Sequence, residues 1–192
     1  MLASGSGTNL QALIDEPDLG AEISVVITDR ADARALDRAG AAGIPHAVVP
    51  YGDHADRDAF SRAVVDVAEE SGAETLVLAG FMRILAPSAI DAYRNRILNV
   101  HPSLLPAFPG AHAVAQALAY GVKVTGVTVH FVDEEVDHGP IIAQRPVAVL
   151  PGDTEESLHA RIQSEEHSIY PETVAAFARG EISVSGREVV WR

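Results

Sequence analysis

The sequence predicts an α/β fold: a mainly parallel, twisted sheet with helices on both faces and some antiparallel strands in the C-terminal half. Three observations predict it. Short apolar runs at 23–27, 44–49, 75–79 and 97–98 alternate with segments whose apolar residues recur at helical spacing. A glycine-rich turn, Gly5-Ser6-Gly7, feeds the first helical segment. Residues 123–131 then alternate polar with apolar and are followed by a further strand at 141–149, the pattern of an antiparallel pair with one face in the core.

The elements follow in order. Met1-Leu2-Ala3 is a stub where a doubly wound fold wants a strand of about five residues, so the expectation is that residues are missing before it. The turn 4–9 opens a helix carrying Leu10, Leu13 and Ile14, with Thr8 or Asn9 as an ordinary cap. Such a turn aims backbone N–H groups at an anion. A dinucleotide fingerprint needs a glycine where Leu10 stands, which argues against a nicotinamide dehydrogenase. The run 23–27 reads as a buried strand. Residues 31–40 read as an alanine-rich helix closed by Gly40, and 44–49 as a strand stopped by Pro50. Asp56 caps a helix with Phe60, Val64, Val67 and Ala68 on one face, ended by Gly72. Arg57 in its first turn opposes the helix dipole and reads as a solvated side chain.

After the strand 75–79 the chain breaks at Gly80 into Phe81-Met82-Arg83-Ile84-Leu85. This segment is too apolar for an exposed loop, so it either packs in the core or lines an apolar cavity. Ile97 and Leu98 read as the end of a buried strand, followed by Asn99-Val100-His101-Pro102-Ser103-Leu104-Leu105-Pro106. The prolines forbid regular structure there, and the i, i+2 spacing turns Asn99 and His101 to one side. Read alone, this is a polar turn with a satisfied histidine, or a ligand site at a strand end. His112 decorates the start of a helix running to Tyr120, and His130 sits on the polar face of its strand. Residues 133–140 form an acidic, solvated loop. A metal set of His101, Asp137 and His138 is a poor pattern, since two of the three are adjacent. Asp153-Thr154-Glu155-Glu156 is a capping-box variant opening a helix that Pro171 kinks or restarts, with Gln163 and Glu166 on its surface. A small hairpin at 182–191 closes the chain.

At 192 residues the chain is expected to form a single domain, 1–192. It has 14 basic and 27 acidic residues, a net charge of −13, which disfavours nucleic acid as a partner. A hydrophobic fraction of 47% supports a sizeable core, yet no apolar stretch is long enough to span a membrane. There is no cysteine and hence no disulfide, which suits a reducing cytoplasm.

The stretch Asn99-x-His101-Pro102-Ser103-Leu104-Leu105-Pro106, followed by Asp137-x-Gly139-Pro140, resembles the signature of folate-dependent formyltransferases. Gly5 to Gln11, Ala79 to Leu85 and Glu166-His167-Ser168-Ile169-Tyr170-Pro171 extend the resemblance over most of the chain. It implies a Rossmann-like formyltransferase fold with a phosphate-binding half, 1–95, and a catalytic and folate half, 96–192. It implies transfer of a formyl group from 10-formyltetrahydrofolate to the amine of glycinamide ribonucleotide in purine biosynthesis, without a metal. By the same resemblance Asn99, His101 and Asp137 are catalytic. Gly7, Thr8, Asn9, Gln163 and Glu166 bind the substrate. Arg57, Met82, Arg83, Ile84, Leu85 and Asn99 bind the folate. The partners expected are these small molecules, with no nucleic acid and no membrane, for a monomer or homodimer.

The chemistry is coherent. Amine attack on a formyl carbon puts negative charge on its oxygen, and Asn99 and a protonated His101 can donate to it. Asp137 favours the charged imidazole and can hold a water that relays the proton. His138, beside that acid, is a departure from the pattern and could compete for it. The alternatives are another folate-dependent enzyme, such as methionyl-tRNA formyltransferase or formyltetrahydrofolate hydrolase, or a non-catalytic nucleotide-binding module.

Overall fold

Helices alternate with short strands through the first half of the computed structural model, which describes residues 1–192. The chain forms two compact units, Met1–Leu98 and Asn99–Arg192. In the first unit, β1 (Val26–Thr28) pairs in parallel with β2 (His46–Val48). Each strand is shorter than its apolar run. Pro45 lends its carbonyl to Val26 but has no N–H to extend the ladder. Met1-Leu2-Ala3 lies between β1 and β3 (Leu76–Leu78), with Leu2 bridged in parallel to both Ile27 and Leu78. All three residues are buried, so even this short piece supplies a central position of the sheet.

The helices of this unit are α1 (Thr8–Ile14), α2 (Arg34–Ala41), α3 (Arg57–Glu70) and α4 (Pro87–Ala92). Asp56 caps α3 as expected, accepting the Ala59 N–H at 2.8 Å. Two expectations are corrected. The cap of α1 is Gly7, which bonds through no side chain, and Thr8 and Asn9 lie inside the helix. Gly40 lies within α2, and the left-handed residue after it is Gly43, at φ 69°. Pro87 starts α4, where its missing N–H costs nothing.

Strand β4 (Ile97–His101) does not stop at Leu98: it continues through the asparagine and the histidine. In the second unit follow α5 (Ala113–Tyr120), β5 (Val124–Phe131), β6 (Ile141–Ala148) and α6 (Glu155–Ala178), then the hairpin β7 (Ile182–Ser185) and β8 (Glu188–Trp191). β5 and β6 are antiparallel, with a register irregularity at Val129/His130. β5 is buried on both faces beyond its first residue, not on one. α6 crosses Pro171 without ending. The proline is buried, as are Tyr170, Thr173 and Val174 on the same helix. The box at its start is Thr154 with Ser157, one residue later than expected. Asp153 instead binds Arg161 and the Leu150 N–H.

Candidate active site

Alternation along β4 sends Asn99 and His101 to one face, and the loop after β5 brings Asp137 to them. His101 is buried. Its Nδ1 is 3.2 Å from Asp137 Oδ2, and its Nε2 is 2.8 Å from the Phe108 carbonyl oxygen. A carbonyl and a carboxylate only accept, so the two partners offer places for a proton on each ring nitrogen. Asn99 Nδ2 faces Asp137 Oδ1 at 3.4 Å, and the Gly110 N–H donates to Oδ2 at 2.7 Å. Burial pushes the Asp137 carboxyl up, but the neighbouring His101 ring and the Gly110 N–H help to hold it below its ordinary value.

The loops that carry these contacts are tightly constrained. Phe108 and Asp137 adopt left-handed backbone at φ 53° and 52°, uncommon for a bulky side chain. A Cβ at Gly139 would sit 1.9 Å from the Phe131 carbonyl oxygen, so only glycine lets the acid's loop return this closely to β5. Thr128 accepts the Leu105 N–H at 3.0 Å and donates to the Ser103 carbonyl at 2.7 Å, tying the proline-rich segment to β5.

His130 belongs to this cluster, and the sequence reading missed it. It is 1% exposed, with Nε2 3.1 Å from Asn99 Nδ2 and 3.6 Å from Asp137 Oδ1. The available signal was its setting: an imidazole between Val129 and Phe131, in a run of β-branched residues, is poorly suited to a solvated face. His138 does not compete for Asp137. It turns to Asp133 at 2.8 Å, and Arg187 donates to its carbonyl at 2.8 Å. Glu166, expected at the surface of α6, is 7% exposed, and Gln163 is half-buried.

The remaining expected residues lie in the first unit. Gly7 sits at φ 68°, and a Cβ there would meet the Ala35 Cα at 2.9 Å. Arg38 braces the same turn, donating to the Ser6 carbonyl at 2.8 Å and to Gln11 at 2.9 Å. The segment after β3 does not pack in the core as a whole: Leu85 is buried, but Met82 is 72% and Ile84 53% exposed. Its backbone is fixed where the Met82 N–H donates to Ser4 Oγ at 2.9 Å. Arg83 donates from Nε to the buried Asp29 at 2.7 Å and lies 4.7 Å over the Tyr51 ring. Arg57 is exposed at the start of α3.

A half-buried amide, a buried imidazole and a carboxylate thus converge at the end of a strand on an α/β frame, the arrangement of an enzyme site. The formyl transferase family matches residues 1–174. A phosphoribosylglycinamide formyltransferase of Mycobacterium tuberculosis is 48% identical over 189 residues, covering 97% of this chain and 87% of that protein. The trifunctional purine biosynthetic protein adenosine-3 of Homo sapiens is 45% identical over 187 residues, 96% of this chain but 18% of that one. A crystal structure of glycinamide ribonucleotide transformylase 1 from Symbiobacterium toebii superposes with a TM-score of 0.96 at 49% identity, covering 99% of this chain and 91% of that one. The chain belongs to the formyl transferase family.

Proposed function

We propose that this chain transfers the formyl group of 10-formyltetrahydrofolate to the primary amine of glycinamide ribonucleotide, a step of purine biosynthesis. Family membership and the names of its relatives support the reaction. The observation that carries the chemistry is the convergence of Asn99, His101 and Asp137 within 3.2 to 3.4 Å.

The folate supplies an activated formyl group. As the amine adds to the formyl carbon, negative charge grows on the formyl oxygen. Asn99 Nδ2 offers it the N–H that otherwise makes a long 3.4 Å contact with Asp137. His101 offers Nε2–H once the formyl oxygen replaces the Phe108 carbonyl as its acceptor. Such a donor is typically worth about 3 kcal/mol in the transition state. Asp137 keeps the imidazole charged and, through a held water, takes the amine proton towards the departing folate nitrogen. Protons and charge balance without a covalent enzyme intermediate.

Gly7, Thr8 and Asn9 are proposed to hold the ribose phosphate, on a turn that α2 and Arg38 keep closed from behind. Gln163 and Glu166 are proposed to meet the substrate from α6. Met82, Ile84 and Leu85, whose first two side chains are held outward, are proposed to receive the pterin, with Arg57 and Arg83 for its charged tail. No helix is long and apolar enough to cross a membrane, and a cytoplasmic enzyme, monomeric or homodimeric, suits these substrates.

Incubation with both substrates should give formylated ribonucleotide and tetrahydrofolate in equal amounts, read by mass spectrometry. Formylation of charged tRNA instead, or release of free formate, would assign the chain to a different member of the family.

A further inference from the structure

His130 lies in the cluster but has no part in the chemistry just described. Its hydrogen bonds fix its protonation by elimination. Nδ1 is 2.8 Å from the carbonyl oxygen of Phe131, which only accepts, so Nδ1 carries a proton. Nε2 is 3.1 Å from the side-chain amide of Asn99. An amide's nitrogen and oxygen are told apart by their partners. The Asn99 atom facing Nε2 also faces Asp137 Oδ1 at 3.4 Å, and an oxygen there would oppose a carboxylate. That atom is therefore the nitrogen, it donates both ways, and Nε2 must accept. A charged His130 would set N–H against N–H.

We propose that His130 is a positioning residue that acts as a neutral ring, its proton held on Nδ1 by Phe131, so that Nε2 takes one Asn99 N–H and keeps the amide nitrogen, not the oxygen, turned to the reacting oxygen. The two histidines then hold opposite states beside one carboxylate: His101 charged, His130 neutral. The titratable groups facing His130 are Asp137 directly and His101 through it. The inference rests on the reading that Asn99 donates to the formyl oxygen.

Two measurements test it. Nitrogen NMR of the histidine rings, assigned by comparison with His130→Gln, reads the tautomer without any turnover. At neutral pH the His130 ring should show a protonated δ nitrogen and a bare ε nitrogen. A ring protonated at ε, or at both, overturns the proposal. In kinetics, His130→Leu should lower kcat roughly tenfold with KM little changed, as one orienting hydrogen bond is lost. His130→Gln, whose side-chain oxygen can accept, should recover most of it. Equal kcat in His130→Leu and wild type overturns the proposal while leaving the function intact. If Asn99→Ala is itself fully active, the functional reading fails, and the nitrogen spectrum still decides the tautomer.

Discussion

At the scale of the residue, the site is a problem of donors and acceptors. Asn99 has two N–H groups and both are engaged, one firmly at 3.1 Å and one weakly at 3.4 Å. The weak one is available to a substrate. Asn99→Ala should therefore reduce kcat about a hundredfold or more while moving KM little, because the lost bond strengthens only in the transition state. Steady-state rates with both substrates saturating would show it. Asp137 is held below the ordinary carboxylate value, so it stays ionised through the neutral range. Its contribution to stability is present above the ordinary value and fades only as pH falls through the lower, folded one. Acid unfolding monitored by circular dichroism should therefore begin at higher pH in Asp137→Asn than in the wild type. That Asn99 and His101 share a side was legible because i, i+2 spacing along a strand is local, whereas Asp137, far along the chain, was named only through the family resemblance. His130 was not legible, since alternation gives the two faces of a strand but not which face meets water. β5 is buried on both, and that is a property of what packs upon it.

At the scale of the element, starts and stops were mostly legible, because caps and turns are chemistry between near neighbours. Asp56 opens α3 and the hairpin turns near Gly186 as read. Pro171 does not restart the helix: α6 runs on past it with the proline buried, and burial is not legible from the local sequence. The capping box of α6 gives a direct test. Thr154→Ala removes the acceptor for the Ser157 N–H and should cost about 1 kcal/mol, seen as a lower urea midpoint with unchanged slope. At the other end of the chain, Gly7→Ala must place a methyl group against Ala35 on a backbone at φ 68°. It should raise KM for the ribonucleotide far more than it changes KM for the folate, because the turn it deforms is the proposed phosphate cradle.

At the scale of the whole molecule, the alternation of apolar runs with helical segments was enough to read an α/β frame, while strand lengths were not. A ladder is as long as its shorter partner allows, and Pro45 shortens β1 and β2 together. The net charge of −13 sets a further expectation. Twenty-seven acids against fourteen bases repel one another more in the compact state than in the unfolded chain. Raising sodium chloride from about 10 to 200 mM shortens the Debye length from about 30 Å to under 10 Å and should raise Tm. Scanning calorimetry across that series would register a flat or falling Tm if local ion pairs such as Arg161–Asp153 dominate instead.

Because Asn99 and His101 share a strand and are separated by one residue, their partnership depends on parity. Substitution at Val100 can change volume and leave both partners aimed alike. A single codon gained or lost between them would swing one to the opposite side of the sheet and dissolve the pair, however conservative the new residue. Evolution along this lineage can repaint β4, but it cannot lengthen or shorten it here by one.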